Sequence, residues 1–328
     1  MRAFGAAAEQ EHALDIELGI VRSHMQSGQY RRALAFAAHA AGAHDAAPEG
    51  AVLYAWLLHM GGQAAIAARL LTQAELRLPG DPLLIQVRQA LAETPARPSK
   101  PLLEAPLRVA PYSAVQLPQG VRVVGTATRL PGSRLAIAPT PSIDPQRPAW
   151  LRDGMGMTFA ARTMRRIDAV RLVVLHMAPV ETDEKADASA SDAALAERDP
   201  FPGSPAFAAE YAPTADETPA WPCLYPGFLG RAGDDGQRSL GIDMPIGPRG
   251  GPVFDQGGRW IGVAFPDVQS PRTDDILTPS RLREHLDKEE LATSAATGPS
   301  PTRRPVDQIY ESAMAVTLQI LQDASSRS

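Results

Sequence analysis

The residues with most to offer chemistry lie in GIDMPIGPRGGPVFDQGGRWIGVAFP, residues 241 to 266. Gly247, Gly250 and Gly251 stand just before the apolar run PVF, and missing side chains there let a backbone approach a bound group closely. Arg249 sits among them with a planar cationic fork that matches a carboxylate. Asp168, His176 and Ser239 supply the side-chain types of an acid, a base and a nucleophile. Cys223, the single cysteine, has no histidine near it in sequence to activate it, so a small buried hydrophobe is expected. Glu181, Asp183 and Glu184 are oxygen donors for a cation, but their tract lacks the fixed turn that calcium sites need, and a solvated loop is expected. No metal site and no cofactor are expected.

The elements around these residues read mainly as strands. PVF and RWIGVAF flank Asp255, Gln256, Gly257 and Gly258, a hairpin turn. Upstream, VRVVGTATRL, SRLAIA and DAVRLVVLHMA have the alternation and β-branched content of strands. A β-domain is therefore expected over residues 109–290. Within it, residues 181–220 are polar and rich in Pro and Ala, and read as a long surface insertion. Residues 291–328 read as a linker followed by an amphipathic helix, in which Val306, Ile309, Tyr310, Ala313, Thr317 and Ile320 share one face.

The N-terminal part has a different period. Residues 14 to 81 repeat at an offset of thirty-four, with Gly28 matched to Gly62, Ala33 to Ala67 and Ala40 to Ala74. Each copy puts a glycine where one helix ends and alanines where a second must pack closely, and Pro79 closes the second copy. A further helix around Leu83, Leu84, Val87, Ala90 and Leu91 serves as a cap. Helical hairpins over residues 1–95 are thus expected, followed by a proline-rich linker at 96–108.

With Tyr30 added, these residues resemble tetratricopeptide repeats, at about two copies plus a capping helix, although His44 and Asp45 replace the closing proline of the first copy. That resemblance implies a protein-binding surface. The loop and hairpin at 247–266 resemble the nucleophile loop of trypsin-like serine proteases, especially the bacterial high-temperature-requirement type, and ILTPSRLREHL resembles the closing strand and helix of that domain. The fold class expected is multidomain: all-α helical-hairpin repeats followed by a mainly β, trypsin-like double β-barrel. With residues 181–220 set aside, the remainder is short for two barrels, so trimmed strands are expected.

Carrying the protease motif over places Gly247 on its first glycine, Pro248 on asparagine, Arg249 on the catalytic serine, and Gly250, Gly251 and Pro252 on the remainder. Thr140 falls where the family has its histidine and Arg171 where it has its aspartate. A guanidinium stays protonated and offers no lone pair for attack, so the resemblance implies a pseudoprotease with all three triad positions substituted. The function expected is a non-catalytic protein-binding or regulatory protein with a protein or peptide partner, in which Arg249 grips an acidic or C-terminal group. Two alternatives stay open: an active serine endopeptidase with a non-standard set such as Asp168, His176 and Ser239, and a structural spacer in an envelope or secretion assembly. The C-terminal helix also resembles the short helix that leads into such a protease domain.

The whole chain sets limits on partners. Its 328 residues carry a net charge of -5, which supplies no bulk attraction for nucleic acid or anionic lipid. Its thirty-one prolines must collect in loops and linkers. No run is long and apolar enough to span a bilayer, and the first residues lack the apolar core of a secretion signal, so a cytoplasmic location is expected, or a periplasmic one if translation starts further upstream.

Overall fold

Glycines at positive φ shape the turns of the helical part: Gly28 (φ 68°) and Gly62 (φ 79°) reverse the chain where a side chain would be strained. In the computed structural model, which describes residues 14–93, 96–180, 194–212, 214, 216–232, 238–266, 274–291 and 303–323, the chain divides into two units, Met1–Ala110 and Pro111–Ser328. The first holds α1 (Leu14–Gln26), α2 (Tyr30–Ala43), α3 (Pro48–Met60), α4 (Ala64–Arg77) and α5 (Pro82–Ala92), each of the first four packed on the next. Ala33, Ala40, Ala67 and Ala74 are buried, which lets the helices approach closely. Tyr30 is fully buried, and its hydroxyl donates to Leu57 O at 2.9 Å through space that any Cβ on Gly61 would fill. Pro79 lies in the exposed turn after α4, and Asp81 then caps α5 by accepting from Leu83 N (2.9 Å) and Leu84 N (3.0 Å). The proline-rich stretch carries a short helix, α6 (Lys100–Leu103), with Leu102 fully buried.

The second unit is built from two closed six-stranded antiparallel barrels. One contains β1 (Val121–Arg129), β2 (Leu135–Pro139), β3 (Ala149–Asp153), β4 (Thr158–Ile167), β5 (Leu172–Pro179) and, from the far end of the chain, β12 (Thr317–Asp323), in the order β1-β12-β3-β4-β5-β2. The other contains β6 (Pro205–Glu210), β7 (Cys223–Ala232), β8 (Arg238–Gly241), β9 (Pro252–Asp255), β10 (Trp260–Pro266) and β11 (Asp274–Leu277), in the order β10-β11-β8-β7-β6-β9. Helices α7 (Pro279–His285), α8 (Lys288–Leu291) and α9 (Val306–Val316) complete the unit.

Counting β12 as the opening strand of its barrel makes the two pairing schemes identical. In both, the first strand pairs with the second, the second with the third, the third with the sixth, the sixth with the fifth, the fifth with the fourth and the fourth with the first. The first barrel is therefore a circular permutation of the second. Its opening strand follows the other eleven in sequence, and Leu318↔Ala127 and Ile320↔Leu151 are among the register pairs that seat it.

Three expectations are corrected here. The amphipathic helix stops at Val316, and Thr317–Asp323, expected to continue it, is strand β12. Leu318 and Ile320 fill the first barrel while Leu321 packs on its outside with Val121 and Val123, so a period of two replaces the helical period. The stretch 181–220 is not all insertion, because β6 runs through Pro205–Glu210 with Ala206 and Ala208 in the second barrel's core; residues 181–193, with Glu181, Asp183 and Glu184, lie outside the described residues. No strand is trimmed, since β6 and β12 supply what the sequence count lacked. The hairpin turn forms as expected, with Asp255 accepting from Gly257 N (2.8 Å) and Arg259 N (2.9 Å).

Candidate functional site between the barrels

The loops that carry Thr140, Arg171 and Arg249 meet where the barrels touch. Gly250 has φ 145°, and a Cβ there would collide with Thr126 O on β1, while a Cβ on Gly251 would collide with Ala209 O on β6. These glycines admit the protein's own strands, not a bound group as expected from the sequence. Thr128 Oγ1 donates to Gly250 O at 2.8 Å, so the glycine loop of one barrel is tied to β1 of the other. Gly247 and Pro248 precede it, half-buried, and Pro252 opens β9.

Thr140, Arg171 and Arg249, the positions that the resemblance sets against a triad, are drawn into this contact. Thr140 opens a single 3-10 turn, Thr140–Ser142, directly after β2, and its N–H donates to Arg171 O at 2.7 Å. Its hydroxyl is buried without a hydrogen-bond partner. Arg171 stands at φ 50° just before β5, with its guanidinium 5.2 Å from the centre of the Phe265 ring on β10. From this turn it is Ser142, two residues beyond Thr140, that reaches the glycine loop: its buried hydroxyl donates to Arg249 O at 2.7 Å. Ser142 carries no signal that the triad spacing would pick out.

Arg249 is 5% exposed, and its Nε lies 2.8 Å from Asp274 Oδ2 on β11, an ion pair rather than an aligned hydrogen bond. The expectation that Arg249 grips a partner's carboxylate is corrected, since it is buried and already matched within its own barrel. Glu210, at the end of β6, completes the cluster, with Oε1 accepting from Gly251 N (2.8 Å) and Gly250 N (3.2 Å). Burial pushes its carboxyl up to about 7, against the opposing pull of the Arg249 charge, the Thr126 hydroxyl and the two amides. Oε2 is buried without an aligned hydrogen bond. Across the contact, Asp153 on β3 accepts from Met155 N (2.9 Å) and Met157 N (3.0 Å), and burial pushes it up to about 6 against those amides and the Arg129 charge. Neither carboxyl is marked in the sequence by any spacing.

The second candidate set is not assembled by hydrogen bonds. Asp168 is exposed and pairs with Arg166 at 3.5 Å; His176 lies within β5 opposite Leu135 and Arg162; Ser239 lies on β8 against Gly230 in the other barrel. His285 lies on α7. Burial pushes the Cys223 thiol up to about 11, with a Tyr225 hydrogen bond opposing, so it stays protonated near neutral pH. Among the described residues no cluster of His, Cys, Asp and Glu is arranged to hold a metal ion, and no helix is long and apolar enough to cross a membrane.

Neither the protein-family comparison nor the curated proteins yield a match. Solved structures do. The crystal structure of the Rv3671c protease in an inactive form aligns over 53% of this chain and 88% of its own, at 14% identity and a TM-score of 0.38. A serine endoprotease from Yersinia pestis aligns over 52% of this chain and 62% of its own, at 11% identity and a TM-score of 0.40. The fold is a trypsin-like double barrel. That statement rests on the strand order of the two barrels, with a helical unit preceding them.

The chemistry open to this contact follows from its side chains. Among the described residues it holds the Arg171 and Arg249 guanidinium groups, the hydroxyls of Thr126, Thr128, Thr140 and Ser142, the Asp274 carboxylate and the Glu210 carboxyl engaged by amides, and no imidazole. A triad needs a base within hydrogen-bond reach of its nucleophile, and the Ser142 hydroxyl spends its proton on a backbone carbonyl.

Proposed function

We propose that this chain is a non-catalytic protein-binding or regulatory protein, a pseudoprotease whose double barrel serves as a scaffold and whose helical hairpins dock a protein partner. The observation that carries the reading is Arg249, which occupies the centre of the glycine loop and is buried in an ion pair with Asp274. Reaction at that position needs an activated nucleophile, and a guanidinium is permanently protonated. Closure of the contact by the protein's own groups supports a structural role: Thr126, Thr128, Ser142 and Glu210 all bond across or within it. The resemblance of the hairpins to tetratricopeptide repeats is what supports partner docking there.

The test is a fluorophosphonate probe and casein hydrolysis on the full chain, with trypsin as control. The expected result is no labelled band and no hydrolysis. A labelled serine would overturn the reading.

A further inference from the structure

Over residues 205–208 and 226–228, strands β6 and β7 carry no polar side chain on either face. Ala206 and Ala208 are fully buried in the second barrel's core. Side chains alternate along a strand, so Pro205 and Phe207 face outward. The register places Phe207 opposite Pro226 and Pro205 opposite Phe228, and opposed residues in a ladder share a face. Four apolar side chains therefore make one outer patch on which Phe228 is 59% exposed. The solvent side of an antiparallel barrel is ordinarily polar, and an apolar patch rimmed by polar groups marks a place of contact.

The patch forms one side of an open groove, and the other side is the strap Arg303–Val306 that leads into α9. Arg304 N donates to Gln256 O at 2.7 Å and fixes the strap against the β9–β10 turn. Neither Arg303 nor Arg304 has a carboxylate partner among the described residues. The groove thus joins two aromatic rings and three prolines to a pair of cations unmatched among the described residues, in a chain whose net charge is -5.

We propose that this groove binds a short acidic peptide segment of a partner protein, with an apolar side chain against Phe207 and Phe228 and carboxylates on Arg303 and Arg304. Guanidinium forks match carboxylates, and a proline-stiffened wall loses little freedom on binding. The site is separate from the contact between the barrels and stands whether or not that contact is catalytic.

Fluorescence anisotropy on the full chain tests it with two labelled probes, Gly-Glu-Leu-Pro-Phe-Glu-Glu-Gly and the same peptide with lysine for each glutamate. The expected result is saturable binding of the acidic probe, at least about tenfold tighter than the lysine probe. Phe228→Ala weakens the acidic probe, and the double variant Arg303→Glu, Arg304→Glu reverses the preference, a gain that misfolding cannot imitate. Absence of saturable binding overturns the proposal, as does a preference that survives the charge reversal. Binding that appears only after deletion of residues 182 to 192 also overturns it, because the chain's own acidic tract would then be the occupant.

Discussion

The two barrels share one pairing scheme but draw on the chain differently. The second is continuous, with its six strands lying between Pro205 and Leu277. The first runs from Val121 to Pro179 and then waits for Thr317–Asp323, so Val121 pairs with Asp323 across almost the whole unit. Contacts so distant in sequence pay their loop-closure entropy before any packing repays it. The difference teaches that a barrel is specified by its set of pairings, while chain order decides which strand closes it last. Here the closing strand is the one that would open the barrel in the unpermuted order, and its strap also builds one wall of the groove on the second barrel.

The sharpest way to break the comparison is to end the chain at residue 302. Hydrogen exchange on that variant should show β1 to β5 losing protection while β9 and β10 keep theirs. Equal loss in both barrels would mean that they form one cooperative unit.

A milder cut is Leu318→Ala. Leu318 is fully buried in the first barrel's core, and deleting such a side chain costs about 2–5 kcal/mol. Urea unfolding followed by exchange should assign that loss to the first barrel.

The contact between the barrels gives a pH-dependent test through Glu210. Its folded value, about 7, lies above the ordinary 4.5, so the folded state holds more protons between those values. Stability from this carboxyl is complete below about pH 4.5 and is lost as pH rises through 7, by about 3 kcal/mol. Glu210→Gln keeps an acceptor for the Gly250 and Gly251 amides and cannot ionise. The variant should therefore match the natural chain near pH 4.5 and exceed it at pH 8. A constant difference across that range would place the ionisation elsewhere.

The smallest effect lies outside the barrels. Tyr30→Phe removes the hydroxyl that donates to Leu57 O and leaves that buried carbonyl one partner short, a loss of about 1 kcal/mol by thermal unfolding. The barrels should be unchanged.

What was legible in the sequence follows the same physical lines. The glycine turns, the alanine crossings and the Asp255 hairpin were legible because each depends on a residue type with a local conformational reason. Strand β12 was not, because Leu318, Ile320 and Leu321 follow a helix and prolong its apolar pattern, and only a distant barrel with an empty place makes them a strand. Strand β6 was hidden in a stretch of alanines and prolines with little alternation in polarity. At the contact itself, the glycine loop and the turn at Thr140 were found from the resemblance. Ser142, Glu210 and Asp274 were not, since a lone polar residue at the end of a strand has no spacing to mark it.

The claim that β12 is the opening strand of a permuted barrel is tested most directly by hydrogen exchange on the natural chain, read at the amides of β12, β1 and β3. The account predicts that all three exchange with one common free energy and lose protection together in denaturant. Rapid exchange across Thr317–Asp323 while β1 and β3 stay protected would contradict it.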